Sequence, residues 1–199
     1  MENVRKGLGA RDLITTGIFT ALFYIVDFVF AMVLSGLQLL VMFISSAAAL
    51  AGGVIFLYLA VKVKKFGAVT IMSFLIGVIM FLMGHFWPCL VFGAVFGLLA
   101  DFLCGRGAYK DFWWNAAGYA VFIIGFTLGA YTPMLIFSDD FVTTRTRMGM
   151  PAEYIQQILD FTHGPLVIAG FGSAAICAIA GAFIGRLLLR KHFEKAGIV

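Results

Sequence analysis

The chain has 199 residues, 62% of them hydrophobic and 12% charged, with 14 Lys and Arg against 10 Asp and Glu. Soluble domains carry about 25% charged residues, so there is too little polar surface here to coat a globule in water. The mean hydropathy of +1.04 instead places the chain among polytopic membrane proteins with a single integral domain, 1–199. The net charge of +4 does not signal a nucleic-acid binder, because the basic residues sit at the ends of apolar segments rather than on one face.

A membrane-spanning helix needs about 20 apolar residues. The pattern predicts six, in an all-α bundle: 13–34, 37–61, 66–83, 88–103, 113–137 and 165–189. The first follows a short basic arm (Arg5, Lys6, Arg11) and is too long for the apolar region of a cleavable signal peptide. The second ends in Lys62, Lys64 and Lys65. Pro88 opens the fourth, as Pro often does in a first helical turn. Arg106 and Lys110 follow it, and Arg186, Arg190, Lys191 and Lys195 close the sixth. With both termini cytoplasmic, only Arg145 and Arg147 fall outside. The excess of Lys and Arg in cytoplasmic loops therefore fixes this orientation.

The outer connection 138–163 is the one long loop. Pro151 can open a helix in it, with Tyr154, Ile155, Ile158, Leu159 and Phe161 spaced at three and four. This predicts an amphipathic helix at the outer surface, either a gating lid or a plain interfacial helix. The spacings Gly93/Gly97, Gly125/Gly129 and Gly181/Gly185 predict close helix packing within the bundle. Cys89, Cys104 and Cys177 lack metal-ligand spacing and read as buried small hydrophobes.

Few residues carry chemistry. Asp27 sits inside an apolar run in the outer half of the first span, where an ionisable group marks a functional site unless it is merely hydrogen-bonded. His85 and Trp87 lie in the tight outer joint between the third and fourth spans, and His163 precedes Pro165 at the same level. With Tyr131, these residues are expected to form an outer pocket. Asp101 stands near Arg106, which predicts an ion pair or a helix-end contact. Trp113, Trp114 and Asn115 read as anchors at the inner interface. Signatures of metalloproteases, serine hydrolases and P-loop enzymes are absent, so a binder rather than an enzyme is expected, with no cofactor of its own. Internal repeats of the kind that build secondary transporters are also missing.

The stretches Lys6–Ala21 (KGLGARDLITTGIFTA), Val63–Thr70 (VKKFGAVT), Met83–Pro88 (MGHFWP), Val95–Asp101 (VFGLLAD), Gly118–Phe122 (GYAVF) and Lys191–Ile198 (KHFEKAGI) carry a resemblance that runs nearly end to end. The chain resembles the substrate-binding S components of energy-coupling factor (ECF) transporters, and within them the MptS group, the Trep_Strep membrane proteins. The resemblance implies a subunit that captures a micronutrient at the outer face. It also implies partners: a transmembrane T component and two cytoplasmic ATPases. It implies that the subunit topples in the bilayer to carry its site inward. The family docks on the T component through an A-x-x-x-A pattern on the first helix, which falls here on Gly17 and Ala21, with Gly in place of the first Ala. It places the pocket on outer helix halves and loops, here Asp27, Phe28, His85, Trp87, Tyr131, Met134, Phe137 and His163, with Arg145 and Arg147 above as contacts for an anionic group. The substrate is not fixed by the resemblance. Haem, with His85 as iron ligand, and an aromatic vitamin-like molecule stacked near Trp87 both suit an aromatic, sulfur-rich pocket. The competing readings are a stand-alone secondary transporter or channel and a ligand-free membrane scaffold.

Overall fold

The computed structural model describes residues 7–195, with side chains as far as residue 190. Arg5 and Lys6, and the side chains of Lys191 and Lys195, lie outside that description. The described residues form nine helices: α1 (Ala10–Leu34), α2 (Gln38–Val41), α3 (Ile44–Val63), α4 (Ala68–Leu82), α5 (Pro88–Arg106), α6 (Phe112–Ile136), α7 (Ser138–Arg147), α8 (Ala152–His163) and α9 (Leu166–Lys195). The protein is all-α. Five of these helices are long and apolar enough to cross a membrane: α1, α3, α5, α6 and α9 up to Arg190.

The expected sixth span, 66–83, is shorter than the pattern suggested. α4 has 15 residues, about 22 Å of helix against a hydrocarbon core of about 30 Å. Two glycines in left-handed conformation bracket it, Gly67 at φ 101° and Gly84 at φ 89°, and residues with a Cβ rarely adopt that conformation. The expected second span, 37–61, is also revised. Its first residues form the one-turn α2, and the long helix begins only at Ile44. Breaking a helix within the bilayer frees carbonyls that must find partners. Two tyrosines supply them: Tyr131 donates to the carbonyl of Met42, and Tyr154 donates to that of Ser35 at 2.7 Å.

The helices pack most extensively as α5 with α6, α3 with α9 and α4 with α5. α3 and α9 approach at glycines. A Cβ on Gly53 would collide with the backbone of Gly181, and one on Gly181 would collide with the carbonyl of Ala49. Gly93 and Gly97 face Ser73 of α4 in the same way, and Gly125 faces Phe96. An aromatic cluster of Phe23, Phe56, Tyr119 and Phe122 fills the centre, with ring centroids 4.9–5.3 Å apart between Phe56 and Tyr119, Phe23 and Phe122, and Phe56 and Phe122. Outside, apolar side chains such as Ile14, Ile18, Val33, Ile168 and Leu187 stand exposed, as a lipid-facing surface requires. α1 is the least buried of the long helices.

The two ends of the bundle differ. At one end lie the start of α1, the α3–α4 joint, the α5–α6 joint and the last turns of α9. This basic end carries Arg11, Lys62, Lys64, Lys65, Arg106, Lys110, Arg186 and Arg190. Asp101 organises it. Its Oδ2 accepts from the N–H of Gly67 (2.8 Å), the N–H of Thr70 (2.9 Å) and the Thr70 hydroxyl (2.9 Å), and its Oδ1 accepts from the Tyr109 hydroxyl at 2.7 Å. Of the two contacts expected for Asp101, the helix-end contact forms and the pair with Arg106 does not; Arg106 lies over the rings of Phe102 and Trp114. Capping an exposed helix start satisfies more donors than one guanidinium would. Asn115, expected as an interface anchor, is buried and donates to the Tyr109 carbonyl at 3.1 Å, whereas Trp113 and Trp114 are exposed.

The other end is closed by α7 and α8: α8 is the helix expected after Pro151 in the connection 138–163, and α7 is additional to it. α8 starts after Pro151 and buries Ile155, Ile158, Leu159 and Thr162. Those residues share a second apolar cluster with Met42, Tyr131, Met134 and Phe141. The lid is thus a packed element with its own small core.

Candidate ligand-binding site

Beneath this lid lies a cavity of about 370 Å³, within the range of small-molecule sites. One wall is a face of α1. Tyr24, Asp27, Phe28, Ala31 and Ser35 line it, at the spacing of three and four that puts residues on one side of a helix. α6 supplies Phe126, Ala130, Pro133 and Met134 at the same spacing, with Tyr131 beside them. Ile44 and Ser45 at the start of α3, Met80 and Met83 at the end of α4, and His85 complete the sides. The lid contributes Phe141, Arg145, Met150, Tyr154 and Ile158.

Of the residues expected at the site, Asp27, Phe28, His85, Tyr131, Met134 and Arg145 line this cavity. Trp87, Phe137, His163 and Arg147 do not. Trp87 is exposed and meets Phe137 edge-on, with centroids 6.2 Å apart, while Phe86 stacks on the same ring at 6.0 Å. Phe137 is the single residue between α6 and α7, so this aromatic group braces the base of the lid against the α4–α5 joint. His163 ends α8 with Nδ1 2.9 Å from the Leu159 carbonyl and its side chain exposed. Arg147 is exposed at the end of α7. Trp87, His163 and Arg147 sit at the expected level of the bundle but on its outside, and Phe137 packs in the α6–α7 joint away from the cavity, because linear sequence gives depth in a membrane more readily than direction around a helix.

Asp27 stands out. It is 9% exposed, and its Oδ1 has no hydrogen-bond partner among the described residues. Buried polar atoms almost always have one, and an exception in a cavity wall points to a missing ligand or water. Nearby, Pro133 interrupts the α6 ladder, since proline has no N–H to donate. The irregular α1–α3 connection and the Pro133 turn of the continuous α6 thus flank the cavity, and irregular backbone at membrane depth is tolerated where it lines one.

His85 is half-buried in the joint after α4, with Nδ1 3.2 Å from the Met80 carbonyl. A carbonyl only accepts, so the ring proton sits on Nδ1 and Nε2 keeps its lone pair. Burial, and then the nearby positive charge of Arg145, push the imidazole down from 6.5 to about 4, so it is neutral at physiological pH. Burial also lowers Arg145 from its ordinary value, without removing its charge. Its guanidinium lies 5.3 Å from the centre of the Phe141 ring. The site therefore offers a carboxylate, a neutral imidazole and a guanidinium in an otherwise apolar, thioether-rich wall.

The residues that sequence reading missed fall into two groups. Tyr24, Ala31 and Ser35 follow from Asp27 by helical spacing alone, and Phe126, Ala130 and Pro133 follow from Met134 likewise. Phe141, Met150 and Ile158 do not, because their placement depends on how the lid folds back. The small face of α1 points elsewhere. A Cβ on Gly17 would meet no atom within 4 Å, and Ala21 is exposed, so these two residues do not pack inside the bundle.

No curated protein and no solved structure matches the chain significantly. A family model described as a hypothetical bacterial integral membrane protein, Trep_Strep, matches residues 10–195. The chain spans nearly its whole length with that match, and it belongs to the Trep_Strep family of bacterial integral membrane proteins.

Proposed function

We propose that this protein is the membrane-embedded S component of an ECF-type importer, capturing a micronutrient beneath its lid for ATP-driven uptake. The observation that carries the reading is the lid-covered cavity with the unpaired Asp27 in its wall. A buried site at one end of the bundle suits a carrier that must hold its cargo while it moves. The basic end faces the cytoplasm with both termini, as the concentration of Lys and Arg there favours, so the lid faces outside. The partners are a T component and two ATPases. The exposed Gly17/Ala21 face of α1 supports docking there, because helices approach closely only where side chains are small. The protein binds its substrate without transforming it.

Two substrate types fit the carrier role. Haem would place iron on the open Nε2 of His85 and a propionate on Arg145. A smaller aromatic, vitamin-like molecule would fill the cavity without touching Trp87. The unpaired carboxylate favours the smaller molecule, since haem brings carboxylates of its own and offers Asp27 no partner. A stand-alone secondary transporter is the second reading, in which Asp27 would carry a coupling ion.

The test is co-purification of the tagged chain with a T component and ATPases, alongside uptake by cells. Ala21→Trp is expected to abolish complex formation and uptake while the isolated protein still binds its substrate. Normal uptake by Ala21→Trp would remove the docking assignment. Ion-driven transport by the chain alone in liposomes would replace the ECF reading with the secondary-transporter one.

A further inference from the structure

Asp27 and Arg145 line one cavity but do not pair; the ion pair found among the described residues is Lys65–Asp12. Asp27 Oδ1 has no partner. The Arg145 guanidinium lies over Phe141, with Nη1 3.6 Å from Met148 Sδ, and it reaches no carboxylate among the described residues. Several other polar groups around the cavity are engaged within the protein. The Tyr131 and Tyr154 hydroxyls donate to the backbone, and His85 Nδ1 bonds to Met80. A carboxyl group and a guanidinium therefore line one largely apolar cavity, neither with an ionic partner among the described residues. Isolated charges in such surroundings are costly unless something meets them, and a molecule that meets both gains specificity from each.

We propose that the cavity takes a bipolar ligand, with an apolar body lying among Met80, Met83, Phe126 and Met134, a cationic or N–H-donating nitrogen on Asp27, and an acidic or acceptor group on Arg145. The inference rests on the cavity being a substrate site, and it narrows the cargo to compounds that carry both kinds of group on one molecule. It disfavours neutral, purely apolar and purely anionic cargo.

The test uses the full chain in detergent and isothermal titration with three probes: 4-(aminomethyl)benzoate, benzylamine and benzoate. In the wild type the bipolar probe binds most tightly. Asp27→Asn weakens 4-(aminomethyl)benzoate and benzylamine at least tenfold and leaves benzoate unchanged. Arg145→Gln weakens 4-(aminomethyl)benzoate and benzoate and spares benzylamine. Asp27→Glu, which keeps the charge, retains the preference for amines and serves if Asp27→Asn does not fold. Equal binding of all three probes, insensitivity to both substitutions, or no binding by either amine at millimolar concentration would overturn the proposal. Failure to recruit a T component, with the probe pattern intact, would sink the ECF reading alone and leave the bipolar site standing.

Discussion

Asp101 and Asp27 are the same residue type, both buried in a membrane bundle, and their surroundings are opposite. Asp101 at the basic end accepts hydrogen bonds on both oxygens, from Gly67, Thr70 and Tyr109. Asp27 at the lid end leaves Oδ1 without a partner beside a cavity. The first joins three elements: the start of α4, the end of α5 and the turn before α6. The second holds nothing together that the structure shows. A buried acid whose bonds are all made within the protein is there for the fold, and one left incomplete beside a cavity is available to a ligand.

Substitutions can break or sharpen this contrast. The largest effect is expected from Asp101→Ala, which strands two backbone N–H groups and a phenol. It should cost about 3 kcal/mol or more of stability, seen as a large fall in the melting temperature in detergent. Tyr109→Phe removes one hydrogen bond to the same carboxylate and should cost about 2 kcal/mol, by the same measurement. A melting temperature unchanged in both variants would mean that the basic end is not held by Asp101.

The third prediction concerns pH. His85 is held neutral in the folded protein, at about 4 against 6.5, so the unfolded chain binds more protons between those values. The His85 contribution to stability then falls as pH drops from about 7 towards 4 and levels off below. His85→Gln should flatten that dependence, and Arg145→Gln should reduce it, because the Arg145 charge is one of its causes. Melting curves across pH 4–8 check both. The smallest stability effect is expected from Asp27→Asn, within about 1 kcal/mol, since no internal hydrogen bond to Oδ1 is lost. A collapse of stability in that variant would erase the distinction between the two acids.

Helix spacing made much of this legible in advance. The apolar runs mark the long helices, and the periodicity of 154–161 marks α8. Asp27 drew attention because a carboxylate in an apolar run needs a reason. Trp87 and His163 misled, because an aromatic or imidazole group near a membrane surface has the same sequence signature whether it faces a pocket or lipid. Of the two readings of Asp101, the helix-end contact holds and the pair with Arg106 does not. Its neighbour in sequence, Arg106, was visible, while its partners Gly67 and Thr70 lie some thirty residues away and meet it only through the pairing of α4 with α5.

By itself, the sequence determined that the chain lives in a bilayer, where its long helices run and how its positive charge is concentrated. Those properties follow from local composition and helical period, which need no knowledge of neighbours. Only the tertiary structure decided that α4 is short, that 138–163 folds into a two-helix lid and that Asp27, His85 and Arg145 share a cavity. Those outcomes depend on which helix faces which, and that is set by contacts between distant segments such as Gly53 with Gly181 and Tyr131 with Met42.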